Sequence, residues 1–327
     1  MPVRNAERYL AEAIDSLLAQ EYPNFELVIS DNGSTDSTEK ICRDYARRDE
    51  RVVYHRSDEN HGAVWNFNRV FQLGRGQYFA WAAHDDLRAP PFLSRCVAAL
   101  EARPDAGMCC AEVALIDNDG RRVDPWATII HPVGESVRGR VRAIGLSRYW
   151  VDLYGVMRVE ALRRTSLARP VWGYDVSIML QIALLGAVLF VPEALFLYRV
   201  DPSKTVEQVA STLGTETHQG AIPANWSALT LELLGDVWRS GLALPVRLGL
   251  LMQLWFDLCV LNGLVGSGIL RDVRANLAAA WAQRHGGRFV ALLAIALPAL
   301  PVHNRLSRSL LHRLRPAGPT RARIATP

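Results

Sequence analysis

Apolar residues fall first at helical spacing and then in short unbroken runs, and the two patterns alternate through roughly the first 205 residues. Tyr9, Leu10, Ala13, Ile14, Leu17 and Leu18 lie three or four apart, which predicts an amphipathic helix from a candidate cap at Asn5 to Gln20. The apolar run at 25–30 predicts a strand, 36–48 a helix capped by Ser34 or Thr35, and 52–55 a second strand. A helix over 63–73 ends at Gly74 and Gly76, ahead of a strand over 77–83. Pro90-Pro91 then opens a helix over 91–102, a strand covers 107–116, and Asp117-Asn118-Asp119-Gly120 has hairpin-turn chemistry. Beyond 124 the rhythm loosens. Residues 125–150 read as an irregular excursion, 154–159 and 187–191 as strands with a helix over 175–185 between them, and everything after 205 as helix without strand.

Strand and helix alternating through short links predict an α/β fold with a mostly parallel, doubly wound sheet over 1–210. A helical extension over 211–327 begins within a Thr-, Gln- and Gly-bearing stretch at 205–220 that is flanked by Pro202 and Pro223. Composition agrees with a packed core: half of the 327 residues are hydrophobic and 21% charged. The net charge of +4 is unevenly spread, because 285–327 holds no acidic residue but carries Arg288, Arg305, Arg308, Arg313, Arg315, Arg321 and Arg323. Such a tail is a candidate contact with the anionic inner face of a membrane. Its cations are not interleaved with aromatics, which argues against a nucleic-acid partner. The uncharged run 289–302 contains Pro298 and Pro301 and falls short of the ~20 residues a bilayer crossing needs. Five cysteines without a CxxC pair fit a reducing compartment, and the polar first residues do not read as a signal peptide. A cytoplasmic protein, peripheral at the membrane through its tail, is the expectation.

Two acidic stations follow strand-like runs. The run at 25–30 leads into Asp31-Asn32-Gly33-Ser34-Thr35-Asp36, and that at 77–83 into His84-Asp85-Asp86. In an open α/β sheet ligands bind beyond the carboxyl ends of strands, so both stations belong in one polar pocket. Asp31-to-Asp36 reads either as a plain strand-to-helix turn or as a nucleoside contact. Asp85-Asp86 reads as a loop start or as a site for Mg²⁺ or Mn²⁺, since adjacent carboxylates repel unless a cation compensates. Asp175 is a helix cap or a general base. Arg199 and Lys204 are phosphate contacts or surface ion-pair partners. No P-loop and no GxGxxG fingerprint is present.

With these residues assembled, the chain over about 2–205 resembles the family 2 glycosyltransferases of the GT-A fold. Pro2-Val3-Arg4-Asn5 is similar to that family's P-x-Y-N opening, with Arg4 in place of tyrosine. Asp31-Asn32-Gly33-Ser34-Thr35-Asp36 resembles its D-[DN]-G-S-x-D element, and Asn60-x-Gly62, Asn68 and Gly76 its N-x-G…N…G-x-Y spacing. Ala83-His84-Asp85-Asp86 resembles its DXD element, Tyr174-Asp175 falls at its E-D, and Tyr198-Arg199 is similar to its closing Y-R. The resemblance implies a donor-nucleotide set of Pro2, Val3, Asn5, Asp31, Gly33, Asn60, Gly62, Asn68, Asp85 and Arg199. It implies a divalent cation, Mg²⁺ or Mn²⁺, on Asp86, and Asp175 as base.

The activity implied is an inverting, metal-dependent transfer from a nucleotide-diphosphate sugar, of UDP type, to a hydroxyl of a saccharide or lipid-linked acceptor. Cell-surface polysaccharide or glycolipid assembly is the setting. A catalytically silent nucleotide-sugar-binding protein and a sugar nucleotidyltransferase are the alternatives. Three departures stand out: Tyr174 replaces an acidic residue, Ala83 leaves the first DXD place without a carboxylate, and the chain begins where the family's first strand would already have ended. A start assigned too late is the expected reason for the last.

Overall fold

The computed structural model describes residues 1–123, 131–134, 136–147, 151–200, 215–217, 220–222 and 225–261. Its first half is β1 (Pro2–Val3), α1 (Leu10–Leu18), β2 (Leu27–Asn32), α2 (Thr38–Arg48), β3 (Val52–Ser57), α3 (Ala63–Leu73), β4 (Tyr78–Phe79), β5 (Leu87–Arg88) and α4 (Phe92–Ala102). Then come β6 (Ala106–Ile116), β7 (Arg122–Val123), α5 (Val137–Leu146), a 3₁₀ turn (Val151–Tyr154), β8 (Val156–Arg158), α6 (Val159–Arg163), α7 (Tyr174–Leu185) and β9 (Ala187–Arg199). A hairpin β10 (Thr215–Thr217) and β11 (Gly220–Ile222), helices α8 (Trp226–Arg239) and α9 (Leu244–Phe256), and a π-helical turn (Asp257–Leu261) complete it.

The strands form two main sheets. In the order β1-β2-β3 every pair is parallel, with Pro2 opposite Ser30 and Leu27 to Asn32 opposite Val52 to Ser57. In the order β4-β8-β6-β9-β5, with β7 on β6, only β6 and β9 run parallel. The mostly parallel expectation therefore holds for the first sheet and gives way to a mixed second one. A parallel partner needs a long crossover. The strand β7 instead returns through a tight turn at Asp117–Gly120, where the amide of Gly120 bonds the carbonyl of Asp117.

Several boundaries shift for local reasons. Asn5 does not cap α1; it takes the left-handed conformation, φ 50°, and the helix begins at Leu10. The excursion at 125–150 contains α5, whose cap Ser136 accepts from the amide of Gly139. β9 runs on past 191 because Pro192-Glu193 bulges out of the β6 register, and pairing resumes at Ala194. The hairpin β10–β11 is a strand pair where only helix was expected. Lys204, the 210/211 boundary, the apolar run 289–302 and the arginine-rich tail lie outside the described residues.

At the start of the chain Pro2 and Val3 pair with β2, and the Met1 ammonium donates to the Val28 carbonyl at 2.6 Å. Helix α7 is mostly apolar and largely buried between the second sheet and the C-terminal helices. Its Ile178 and Ile182 share one core with Met108 of β6, Leu229 and Leu233 of α8, and Leu250 and Leu254 of α9. A separate core joins Leu10 and Ile14 of α1 to Ile29 of β2 and Cys42 of α2. Among the described residues no helix is long and apolar enough to cross a membrane.

Candidate functional site

The strand β2 delivers Asp31 to the carboxyl end of the first sheet, where its side chain is fully buried. One oxygen accepts from the Ser34 amide at 2.9 Å, closing the turn. The other accepts from the Tyr54 hydroxyl at 2.7 Å and the Arg56 guanidinium at 3.1 Å. Parallel register sets Arg56 directly opposite Asp31, which is why these two residues of β3 meet it. Burial and the Asp31 bond push the Tyr54 phenol well up from its usual value.

The turn after β2 is clasped from both sides. Asn5 accepts from the Thr35 amide at 2.9 Å, and the amides of Asn5 and Ala6 donate to the hydroxyls of Ser34 and Thr38. Pro2 and Val3 thus lead straight into this clasp. On the far side Asn32 donates to Asn60 at 2.9 Å and accepts from the His61 amide, while Asn60 also takes the Gly62 amide. Gly33 permits that approach: φ is 72°, and a Cβ there would lie 2.8 Å from the Glu59 carbonyl carbon. Gly62, φ 86°, opens α3 in the same loop.

The second station sits between β4 and β5. Asp86 is buried, its Oδ1 accepts from the Arg199 amide at 2.8 Å, and its Oδ2 is buried without a partner. Burial, reinforced by the neighbouring Asp85 carboxylate, pushes its carboxyl up to about 7, against the pull of Arg88 and Arg199. Nδ1 of His84 is likewise buried without a partner. Arg199 is woven into the scaffold by four hydrogen bonds, to the carbonyls of Asp85, Asp117 and Asn118 and to Glu12, and it stacks on Tyr9. Its guanidinium is therefore largely committed to protein groups, where a phosphate contact had been expected.

Asp175 occupies the first turn of α7, after Gly173 in the left-handed conformation, so Gly173 and not Asp175 is the cap. Part of Asp175 reaches solvent, yet protein surrounds it closely enough that burial raises its carboxyl to about 6. Tyr154 senses the second station electrostatically: burial raises its phenol well above the usual value, and the charges of Asp86 and Asp85 add to that. Asn68 stands apart in role, both its amide atoms bonded to the backbone of Ala168 at 2.9 and 3.0 Å.

Sequence reasoning missed Tyr54, Arg56, Tyr154, Arg88 and Asn66. Asn66 donates to the carbonyls of both Val3 and Ser30, tying β1 to β2 from within α3. Arg88 is buried against Phe196, which lowers its pKa to about 10. Only the register opposite Asp31 could have singled out Arg56. Among the described residues, the group of three metal-capable side chains is Cys110, His131 and Asp152, and it includes neither Asp85 nor Asp86. There the His131 Nδ1 lies 2.7 Å from the Asp152 carboxylate, a buried hydrogen-bonded pair.

Comparison with known proteins adds the following. The family model described as Glycosyl transferase family 2 matches residues 1–164. An uncharacterized glycosyltransferase of Rickettsia typhi is 40% identical over 90 residues, 28% of this chain and 27% of that protein. A candidate teichuronic acid biosynthesis glycosyltransferase of Bacillus subtilis, TuaG, is 35% identical over 85 residues, 26% of this chain and 34% of its own length. These matches thus span about a third or less of the curated relatives. Among solved structures, Staphylococcus aureus TarS 1–349 in complex with UDP-GlcNAc aligns with TM-score 0.59 at 16% identity, covering 78% of this chain and 70% of that one. The mannosyltransferase PcManGT of Pyrobaculum calidifontis, in complex with GDP-Man and Mn²⁺, aligns with TM-score 0.52 at 17% identity over 92% and 85%. The shared fold is GT-A.

Proposed function

The chain belongs to glycosyl transferase family 2, and from that premise we propose that it moves a sugar from a nucleotide-diphosphate donor, of UDP type, to an acceptor hydroxyl with inversion. Cell-surface polysaccharide or glycolipid assembly is the setting, a reading supported by the teichuronic acid role named for the Bacillus relative. The donors of the two structural neighbours, UDP-GlcNAc and GDP-Man, support a nucleotide sugar.

The observation that carries the reading is the buried, unpartnered Oδ2 of Asp86 beside Asp85. A buried carboxylate oxygen without a partner is costly, and two adjacent acids raise that cost. A hard divalent cation, Mg²⁺ or Mn²⁺, fits this donor chemistry, with Asp86 as its holder and Asp85 beside it on the donor nucleotide. When bound, such an ion offsets the charge of a departing diphosphate.

The residues of the chain divide the remaining work. Asp31, held by Tyr54 and Arg56, and the clasp of Pro2, Val3, Asn5, Gly33, Asn60 and Gly62 shape the nucleoside side of the pocket. Arg199 positions the Asp85–Asp86 loop. Asp175 takes the proton of the acceptor hydroxyl, whose oxygen forms the new bond to the anomeric carbon as the bond to the diphosphate breaks. The diphosphate leaves with that electron pair, and attack from the opposite face inverts the centre. A carboxyl near 6 is largely ionised at neutral pH and more basic than an ordinary aspartate.

Titration with UDP and Mn²⁺, followed by assay of UDP release from UDP-sugars, tests the proposal. Cation-dependent release that vanishes in Asp86→Ala and falls by about 10²- to 10⁴-fold in Asp175→Asn is the expected result. Binding without release in the unaltered protein would instead assign a silent nucleotide-sugar binder.

A further inference from the structure

Cys110, His131 and Asp152 converge from three separate parts of the chain, and the transfer proposed above uses none of them. Strand pairing explains the meeting. β6 and β9 run parallel with Cys110 opposite Phe190. The ring of His131 stacks on Phe190 with centroids 4.6 Å apart, and Gly134 bridges Val188, so residues 131–134 are laid against β9. On the other edge of β6, Cys109 pairs with Val156, just after the 3₁₀ turn that carries Asp152. Gly155 lets that turn press on β6, since a Cβ there would lie 2.7 Å from the Cys109 carbonyl oxygen.

The three groups are shut away from water. Cys110 and Asp152 are 2% and 3% exposed, and the His131 side chain is 10% exposed. One donor atom of each lies within 4.8 Å of the other two. His131 Nδ1 meets the Asp152 carboxylate at 2.7 Å, while its Nε2 is buried with no hydrogen-bond partner. The Cys110 thiol donates to the Leu189 carbonyl at 3.3 Å, and burial and the Asp152 charge push it well above its usual pKa. Hydrogen bonding alone therefore leaves one imidazole nitrogen idle and sets a proton-bearing thiol beside a buried carboxylate. A dication replaces the thiol proton, and one thiolate with one carboxylate cancels its charge inside the protein.

We propose that Cys110, His131 and Asp152 form a structural Zn²⁺ site, separate from the oxygen-donor station at Asp86. Thiolate and imidazole suit zinc, whereas Mg²⁺ and Mn²⁺ take oxygen ligands. Tetrahedral zinc ligands stand about 3.4–3.6 Å apart, so the nitrogen and carboxylate part by less than ~1 Å and the sulfur closes by about 1 Å at most. The fourth place falls to water or to Glu112, whose charge also bears on His131. Bound there, the ion ties residues 131–134 to β6 and steadies the turn carrying Tyr154, which senses Asp85 and Asp86.

The test titrates the full chain, held reduced by a phosphine and stripped with EDTA, with Zn²⁺ and with Co²⁺. Zn²⁺ should raise its melting temperature, and Co²⁺ should give a thiolate-to-metal charge-transfer band in the near ultraviolet. Cys110→Ser should abolish the band. His131→Gln should weaken Zn²⁺ binding by at least the ~10- to 100-fold that loss of even an outer partner costs. Asp86→Ala, which removes the other cation station, should keep the band and bind one equivalent of Zn²⁺. No band in the unaltered protein overturns the proposal, and so does a band that survives Cys110→Ser. Zn²⁺ binding lost in Asp86→Ala but kept in His131→Gln would put the ion at the second station and overturn it equally. If Cys110→Ser or His131→Gln does not fold, Asp152→Asn takes its place, and undiminished Zn²⁺ affinity there overturns the proposal.

Discussion

The backbone amide of Arg199 donates to Oδ1 of Asp86 at 2.8 Å across 113 residues of sequence. The end of β9 thereby fixes one oxygen of the acid while leaving the other buried and unpartnered. The guanidinium of the same arginine holds the carbonyls of Asp85, Asp117 and Asn118, so one residue sets the loop on which the second station stands.

Arg199→Ala should therefore destabilise the fold by about 2–4 kcal/mol, because buried carbonyls lose their donors. Arg199→Lys should recover little, since a single ammonium cannot reproduce the fork. Glu12→Gln should cost less than about 1 kcal/mol, because Glu12 is half exposed. Urea denaturation of the three variants checks the order.

Asp86→Asn should separate stability from cation binding. The native pKa of Asp86 lies above its usual value, so the folded protein holds this proton more tightly than the unfolded chain does. Stability is then lost as pH rises from about 4 to 7, and the neutral asparagine escapes that loss. The variant should melt no lower than the parent at pH 8 without ligand. It should also lose the stabilisation by Mn²⁺ with UDP, which for the parent is about 2.7 kcal/mol at a hundredfold excess over Kd.

The same sign governs Asp175, whose carboxyl is raised to about 6. Turnover should climb with pH through 6 and then level, because the base acts only when ionised. Asp175→Asn should lower kcat by about 10²- to 10⁴-fold and flatten that limb of the profile. It should leave the Kd for UDP close to that of the parent, which calorimetry reads.

Two glycines should respond in opposite directions. Gly33→Ala meets backbone at 2.8 Å with φ at 72°, and should cost about 1–3 kcal/mol and loosen the Asn32–Asn60 contact. Gly249→Ala lies inside α9 with nothing within 4 Å of the new methyl, and should add about 0.5–1 kcal/mol. Thermal melts of both variants decide it.

By itself the sequence determined what local chemistry and periodicity can specify. Most of the order of strands and helices through the first half, the turn at Asp117–Gly120 and the acidic station at the end of β2 were legible, because period, glycine placement and acidity are written residue by residue; the strand expected over 77–83 ends at Phe79, so the second station stands in the loop ahead of β5. The antiparallel pairing of β5 with β9 and of β8 with β4 and β6 was not legible, since strands of two and three residues carry too little pattern to declare a direction. Nor was the binding of Asp31 by Tyr54 and Arg56, which depends on the register between β2 and β3. Arg199 read as a phosphate contact or an ion-pair partner and Asn68 as a donor contact, while the carbonyls and Glu12 around the one and the Ala168 backbone bound to the other come only from the fold. Tertiary structure alone decided which side chains were already satisfied and which, like Oδ2 of Asp86, were left buried and wanting a partner. Hydrogen-bond satisfaction and desolvation depend on everything packed around a group, and residues a hundred positions away provide most of that surrounding.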